Sequence, residues 1–135
     1  MNNEMEKEQR NSTNRFELEG NVGNIGDVYT NKNNKKTLRF DLGQNNNGNS
    51  QFVPIVLRGE LVNAYGNDIE KGNWITVKGR ISSYSKDVEK NGKTYKEKAV
   101  EILGFEIIDR TNNKVYSADG TVKEISNSKD EEQER

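Results

Sequence analysis

The stretch NWITVKGRISSYSK, residues 73–86, is typical of a β-strand because small or apolar residues occupy every second position. The set expected to face a core is Ile75, Val77, Gly79, Ile81 and Ser83. The opposite face then carries the only tryptophan of the chain, a tyrosine and three cations, in the order Trp74, Thr76, Lys78, Arg80, Ser82, Tyr84 and Lys86. Such a face is either an ordinary solvated surface or a binding surface that combines aromatic rings with positive charge.

The same alternation predicts four further strands around this one. They are RFELEGNV (15–22, with a kink near Gly23 or Gly26), TLRFDLG (37–43), QFVPIVLR (51–58) and the segment from Tyr95 to Asp109, where Gly104 is a predicted bulge. Compositions rich in Asn, Gly, Lys and Ser predict a turn at 30–35, a loop at 44–50 and a hairpin tip at 87–92.

One short helix is predicted at residues 60–70, where Leu61, Tyr65 and Ile69 form a single apolar stripe. The order β-β-β-α-β-β predicts an all-β fold with one short helix, a five-stranded Greek-key barrel of the oligonucleotide-binding (OB) kind. Four aromatic residues are assigned to the core or its edge, namely Tyr29, Phe40, Tyr65 and Phe105.

The chain of 135 residues is expected to hold one domain, because both ends lack the apolar residues that a packed segment needs. We predict a disordered N-terminal arm at 1–14, the OB domain at 15–110 and a disordered polar and acidic C-terminal tail at 111–135. The arm is also a candidate for pairing with a neighbouring protomer's sheet edge. Neither a secretory signal nor a membrane-length apolar run is present, so the sequence predicts a soluble cytoplasmic protein without a membrane partner.

Composition argues against an enzyme. The chain contains no His and no Cys, which excludes a Ser-His triad, a Cys nucleophile and the usual zinc sites, and no glycine-rich phosphate loop follows a strand. No metal or cofactor is therefore expected. The net charge is −1, so a polyanionic partner would have to be met by a local arrangement of cations.

Several segments resemble the bacterial-type single-stranded DNA-binding protein family. NRFELEGNVG (14–23) is similar to the opening strand of that family, and IVLRGEL (55–61) to the passage from its third strand into the helix. EKGNWITVKGRI (70–81) and NGKTYKEKAVEILGFEIID (91–109) are similar to its last two strands. The resemblance covers residues 14–109 in order. It implies an OB fold, self-association as a dimer or tetramer, and sequence-tolerant binding of single-stranded DNA.

The resemblance implies a binding role for individual residues. Phe52 stands where the family has an aromatic residue entering the third strand, whereas Arg58 and Lys86 stand where it often has aromatic residues. Tyr84 shares a strand face with Lys86, and Trp74 stands where many members have a non-aromatic residue. Trp74 is interpreted as a base-stacking platform, with a subunit interface or a lid over the barrel end as alternatives.

The predicted nucleic-acid-binding set combines these residues with nearby cations. Lys35, Lys36 and Arg39 flank the first turn and either extend the groove or serve only to keep the turn soluble. The full set is Phe52, Arg58, Trp74, Lys78, Arg80, Tyr84, Lys86, Lys35, Lys36 and Arg39.

The chain departs from the family at its C-terminus, which ends in Glu-Arg instead of an acidic tip closing in Pro-Phe. Recruitment of repair or replication proteins by that tip is therefore not expected. Frequent Asn and Lys, which have AT-rich codons, suggest a low-GC source, and together with the missing tip and altered aromatic residues they suggest a plasmid-, phage- or mobile-element-encoded member.

The sequence thus predicts a non-catalytic protein that binds single-stranded DNA with little sequence preference in DNA replication, repair or transfer. Two alternatives stay open. One is an OB-fold adaptor that binds proteins of a replication or conjugation complex and binds DNA weakly. The other is a general DNA binder that also takes duplex, because lost stacking would shift the balance toward phosphate contacts.

Overall fold

The computed structural model describes residues 10–125, so predictions for residues 1–9 and 126–135 lie outside the described part. It contains one short helix, α1 (Glu60–Tyr65), and eight strands. The strands are β1 (Phe16–Ile25), β2 (Tyr29–Thr30), β3 (Lys36–Asn46), β4 (Asn49–Arg58), β5 (Trp74–Lys90), β6 (Lys93–Asp109), β7 (Lys114–Ser117) and β8 (Val122–Glu124). No helix in this part of the chain is long and apolar enough to cross a membrane.

Five of the strands close into a barrel. β1 pairs with both β3 and β5, β3 pairs with β4, and β5 pairs with β6, all antiparallel. A single parallel pairing between Val56 of β4 and Leu103 of β6 closes the ring. This mostly β architecture confirms the predicted fold class, a five-stranded barrel of the OB kind with a short helix between the third and fourth barrel strands.

The core forms because each barrel strand turns alternate apolar residues inward. β3 contributes Leu38, Phe40 and Leu42, and the facing strands contribute residues such as Ile55 and Ile75. The helix stripe predicted from sequence is also buried, since Leu61, Tyr65 and Ile69 all belong to this core. The helix itself is shorter than predicted and ends at Tyr65, after which Gly66 closes the last turn through a bond to the Val62 carbonyl.

The register of β1 and β6 contains the two irregularities that the sequence predicts. Pairing of β1 with β3 shifts between Val22 and Ile25, as expected for a kinked first strand. In β6 the register shifts opposite Lys78 and Gly79, next to Gly104. Strand β5 approaches there so closely that a Cβ at Gly79 would collide with the carbonyl oxygen of Leu103, so only glycine fits.

Two aromatic residues assigned to the core are exposed. Phe105 is the extra residue of the β6 bulge, and its ring therefore faces solvent and lies under the Arg80 guanidinium. Tyr29 lies on the two-residue edge strand β2, which has no second strand to cover it. The other two assignments are confirmed, because Phe40 and Tyr65 are buried.

The predicted loop at 44–50 is mostly strand. β3 and β4 pair as far as Asn46 and Asn49, and the connection is the two-residue turn Asn47–Gly48, where both residues have positive φ. An Asn-Gly pair is the preferred sequence for such a hairpin turn. The same Asn-Gly turn occurs at Asn91–Gly92, which joins β5 to β6 as the sequence predicts.

The C-terminal boundary predicted at residue 110 is wrong for residues 111–125. β7 continues the sheet beside β6, and β8 pairs with β7. Tyr116 of β7 is fully buried, with its ring 4.5 Å from that of Tyr65. Burial raises the pKa of both phenols, and the carboxylates that accept their hydrogen bonds raise it further, so both remain neutral donors.

A side chain continues the β1–β5 ladder beyond the N-terminal end of β1. The Asn14 amide donates to the carbonyl of Ile81 at 2.7 Å and accepts from its N–H at 3.0 Å. Asn14 thus takes the place of one more ladder residue, and order begins before the predicted boundary at residue 15.

Candidate nucleic-acid interface

Two exposed aromatic residues lie in one row across four barrel strands. Trp74 of β5 pairs with Asn21 of β1, Asn21 pairs with Gly43 of β3, and Gly43 pairs with Phe52 of β4. Because directly paired residues project from the same face of a sheet, the two rings share the outer face of the barrel. Three strand spacings separate them, roughly 14 Å.

Phe52 is 65% exposed although it sits on a barrel strand. Its ring carbon Cε1 lies over two glycines, 3.1 Å from where a Cβ of Gly43 would be and 3.4 Å from that of Gly23. The glycines therefore leave room for the ring, whose Cε1 and Cδ1 atoms lie against them. Most of the ring is left to solvent and is accessible to a stacking base.

Trp74 is 42% exposed, and its polar edge is anchored. The indole Nε1 donates to Glu19 Oε2 at 3.2 Å, and that oxygen also lies 3.6 Å from Arg110 Nε. The same Glu19 and Arg110 side chains bond to Thr76 and cover it, so Thr76 is buried although the sequence predicted it to face water. The tryptophan ring is thereby held in place at its end of the row.

An open groove of about 880 Å³ lies between the two rings. Its walls come from β1, the β3–β4 hairpin and the segment that leads into β5. In the described part of the chain its charged lining residues are Glu19 and Lys71, and most of the remaining polar ones are Asn or Gln. Lys71 is absent from the predicted binding residues, although its place in the Lys-Gly-x-x stretch before β5 could have indicated that it lines the groove.

Two predicted cations are engaged by one carboxylate. Arg58 Nη2 lies 2.8 Å and Arg39 Nη2 3.3 Å from Glu101 Oε2, and the Glu101 side chain is only 11% exposed. Both arginines keep about half of their surface in solvent. Arg58 is on the same face of β4 as Phe52 but six residues further along, roughly 20 Å away.

Lys78 and Arg80 do not reach the groove. Lys78 pairs directly with Glu17 on one side and with Glu106 on the other, so carboxylates flank it across the sheet. Arg80 lies over the Phe105 ring at 5.8 Å from its centroid, a cation–π contact on the barrel wall. The side chains of β5 therefore alternate between the two faces as predicted from Trp74 to Arg80, although Thr76 is covered. The cations of β5 are not gathered around Trp74.

Tyr84 and Lys86 lie on the part of the β5–β6 hairpin that projects beyond the barrel. Tyr84 pairs with Ala99 and is 43% exposed, and Lys86 pairs with Glu97. Ten residues of strand separate Tyr84 from Trp74, roughly 33 Å. On the opposite face of this hairpin Ile81 and Ser83, predicted to face a core, are exposed because the strand has left the barrel.

Lys35 and Lys36 lie far from the aromatic row. Lys35 closes the turn that Asn31 organises through bonds to the backbone of residues 33 and 35. Lys36 begins β3 and lines a small pocket beside the helix, seven residues from Gly43. The structure thus brings only Phe52 and Trp74 of the predicted set into the groove.

The fold and this groove define a class of protein. An OB-type barrel carries an outward groove bounded by two aromatic rings and lined mainly by amide side chains. This is the architecture of a binding module, and the chemistry it offers is stacking and hydrogen bonding.

Comparison with known proteins identifies the family. Residues 13–106 match the single-strand binding protein family, and the chain belongs to that family, which is non-catalytic. No curated protein matches the chain. A solved structure of the Plasmodium falciparum SSB complex with ssDNA is similar to it with a TM-score of 0.59 and 19% sequence identity, over 70% of this chain and 88% of that one. At this identity the similarity shows the shared fold.

Proposed function

We propose that this protein binds single-stranded DNA without catalysis and with little sequence preference. The observation that carries the proposal is the row of two exposed rings, Trp74 and Phe52, with a groove open between them. Membership in the single-strand binding family supports it, as does the structural similarity to a protein of that class in complex with ssDNA. Every base has a π-face, so two stacking platforms accept any sequence.

The proposed path of the strand runs from Trp74 to Phe52 and then along the outer face of β4. Lys71 lies in the groove, and the Arg39–Arg58 pair lies further along that face, so these cations are proposed to contact phosphates. Tyr84 and Lys86 on the projecting hairpin are proposed to contact longer strands only. Lys78 has no place in this path because Glu17 and Glu106 flank it.

Binding to a mixed-sequence oligonucleotide and to its duplex, measured across a salt series, tests the proposed function. We expect the single strand to bind at least about tenfold more tightly than the duplex, because bases that are paired and stacked inside a duplex cannot stack on Trp74 and Phe52. The three proposed cations are Lys71, Arg39 and Arg58, and Glu101 neutralises one of the two arginine charges, so about two net phosphate contacts remain. At roughly −0.7 per contact, log affinity should fall against log salt with a slope of about −1.4.

The alternatives predict other outcomes of the same measurement. A general DNA binder takes both forms, with a slope of about −3 on single strands from four phosphate contacts. An adaptor binds neither form even at low salt, and that result would overturn the proposed function.

We also propose that the protein self-associates through one face of the β5–β6 hairpin. Ile81 and Val100 are both exposed there, Val100 to 64%, and their cross-strand partners place them on the same face. Light scattering should give a mass above the 15.4 kDa of one chain, and Val100→Asp should lower it without changing the fold, since it would place an unpaired charge in the contact. A wild-type mass of one chain at all concentrations contradicts the proposal.

A further inference from the structure

The groove carries too little positive charge for phosphate contacts to dominate. Its charged lining residues are one lysine, Lys71, and one glutamate, Glu19, which is paired with Arg110. The remaining polar lining consists mainly of amides from the β3–β4 hairpin and Asn21. A surface that held the sugar–phosphate backbone would be expected to present Lys and Arg at these positions. A wall of this composition therefore indicates that the groove contacts the bases of the strand as well as its phosphates.

The amides are held on a rigid support. Their hairpin is paired up to the Asn47–Gly48 turn, so their spacing is that of a β-ladder. Asn45 lies two residues from Gly43 and thus on the same face as Phe52. Gln51 donates to Gln44 Oε1 at 2.8 Å, and Gln44 donates to the Glu19 carbonyl at 3.2 Å. Gln44 and Gln51 pair directly one position from the Gly43–Phe52 pair, so these two amides project from the opposite face and brace the hairpin that carries Asn45.

An amide and a base edge are chemically complementary. Each of the four bases presents a hydrogen-bond donor next to an acceptor on its Watson–Crick edge, and a carboxamide presents an acceptor next to two donors. An amide that can rotate therefore fits every base, and in single strands those edges are unpaired and accessible. In a duplex the same edges are occupied by the partner strand.

We propose that the amide wall of the groove, Asn45 in particular, hydrogen-bonds the Watson–Crick edges of bases that stack on Phe52 and Trp74. This inference rests on the proposed function and adds its source of selectivity. Stacking alone does not exclude other flat ligands, whereas contact with the Watson–Crick edge restricts the groove to unpaired bases without preference among the four.

Methylation of the base edge tests the proposal. Oligothymidylate and an oligomer of 3-methylthymidine share the same backbone and a stackable ring, but the methyl group removes the N3–H donor. We expect the full-length protein to bind the methylated oligomer at least about fivefold more weakly, the lower limit for loss of a bidentate amide–base contact. Equal affinity for the two oligomers overturns the proposal and leaves the proposed function intact.

A variant separates hydrogen bonding from the bulk of the methyl group. In Asn45→Ala the ratio of the two affinities should fall toward one, because the partner of the base edge is gone. Asn24→Ala is the matched control, since Asn24 is an exposed amide of β1 outside the groove, and it should keep the wild-type ratio. A ratio that persists in Asn45→Ala assigns the loss to steric exclusion and contradicts the proposal. If neither oligomer binds the wild-type protein, the proposed function itself fails.

Discussion

Tyr116→Ala is expected to lower the free energy of unfolding by about 3–5 kcal/mol, the usual cost of removing a large buried aromatic side chain. The ring is fully buried against Tyr65, and its hydroxyl donates to Asp68 Oδ2 at 2.7 Å. Alanine would leave a cavity and deprive that carboxylate of its donor. In a domain of this size the melting temperature should fall by roughly 10–20 °C.

The segment around Tyr116 is expected to matter as a unit. Asn112 donates both its backbone N–H and its side-chain amide to Asp109, the buried carboxylate to which Tyr65 and Asn73 also donate. A chain ending at Arg110 loses Tyr116 and two of the donors to Asp109. We therefore expect it to be at least as unstable as Tyr116→Ala.

Two controls make the stability experiment specific. Tyr116→Phe keeps the ring and removes only the hydroxyl, so it should cost about 1–3 kcal/mol. A chain ending at Ile125 keeps every described contact and should melt like the full chain. Urea unfolding followed by circular dichroism compares these four variants with the full chain. If the chain ending at Arg110 melts with the full chain, β7 and β8 are dispensable and the earlier boundary at residue 110 is the functional one.

The sequence predicts the barrel well because the barrel is built from local alternation. Inward residues such as Leu38 and Val77 recur at every second position, and turns are marked by residues that tolerate positive φ. Local alternation does not predict the C-terminal hairpin of β7 and β8. The apolar residues of 111–125 are scattered and do not alternate over a long run. Tyr116 is buried only because a site already formed by Tyr65 and Asp68 receives it, a long-range contact that no local pattern records.

The candidate site is predictable only in part, for the same reason. Phe52 and Trp74 are recognised by type and strand position, yet the row that joins them depends on the register of four strands. The carboxylates that neutralise several predicted cations are distant from them in sequence, so no local pattern reveals these pairs. Glu101 is 43 residues from Arg58 and 62 from Arg39, and Glu17 reaches Lys78 only through the β1–β5 pairing.

Phe52→Ala and Trp74→Ala are each expected to weaken single-strand affinity by about 1–3 kcal/mol, and the double variant by nearly the sum. Both rings are exposed, and they are too far apart, roughly 14 Å, to replace one another. Trp74 is the only tryptophan, so its fluorescence reports this site alone, and oligothymidylate should quench it. In Phe52→Ala quenching should persist but require more DNA, while the salt slope stays unchanged because no phosphate contact is lost.

Length dependence separates the groove from the projecting hairpin. An oligomer of about four nucleotides, the lower end of OB-fold site sizes, should respond to Phe52→Ala and ignore Tyr84→Ala, because Tyr84 lies roughly 33 Å along β5 from Trp74. An oligomer of about sixteen nucleotides should respond to both. If Tyr84→Ala weakens binding of the short oligomer as much as Phe52→Ala does, the site lies on the hairpin. Unquenched fluorescence at saturating DNA, together with a smaller assembly mass for Trp74→Ala, would instead assign Trp74 to a contact between protomers and leave Phe52 as the platform of the groove.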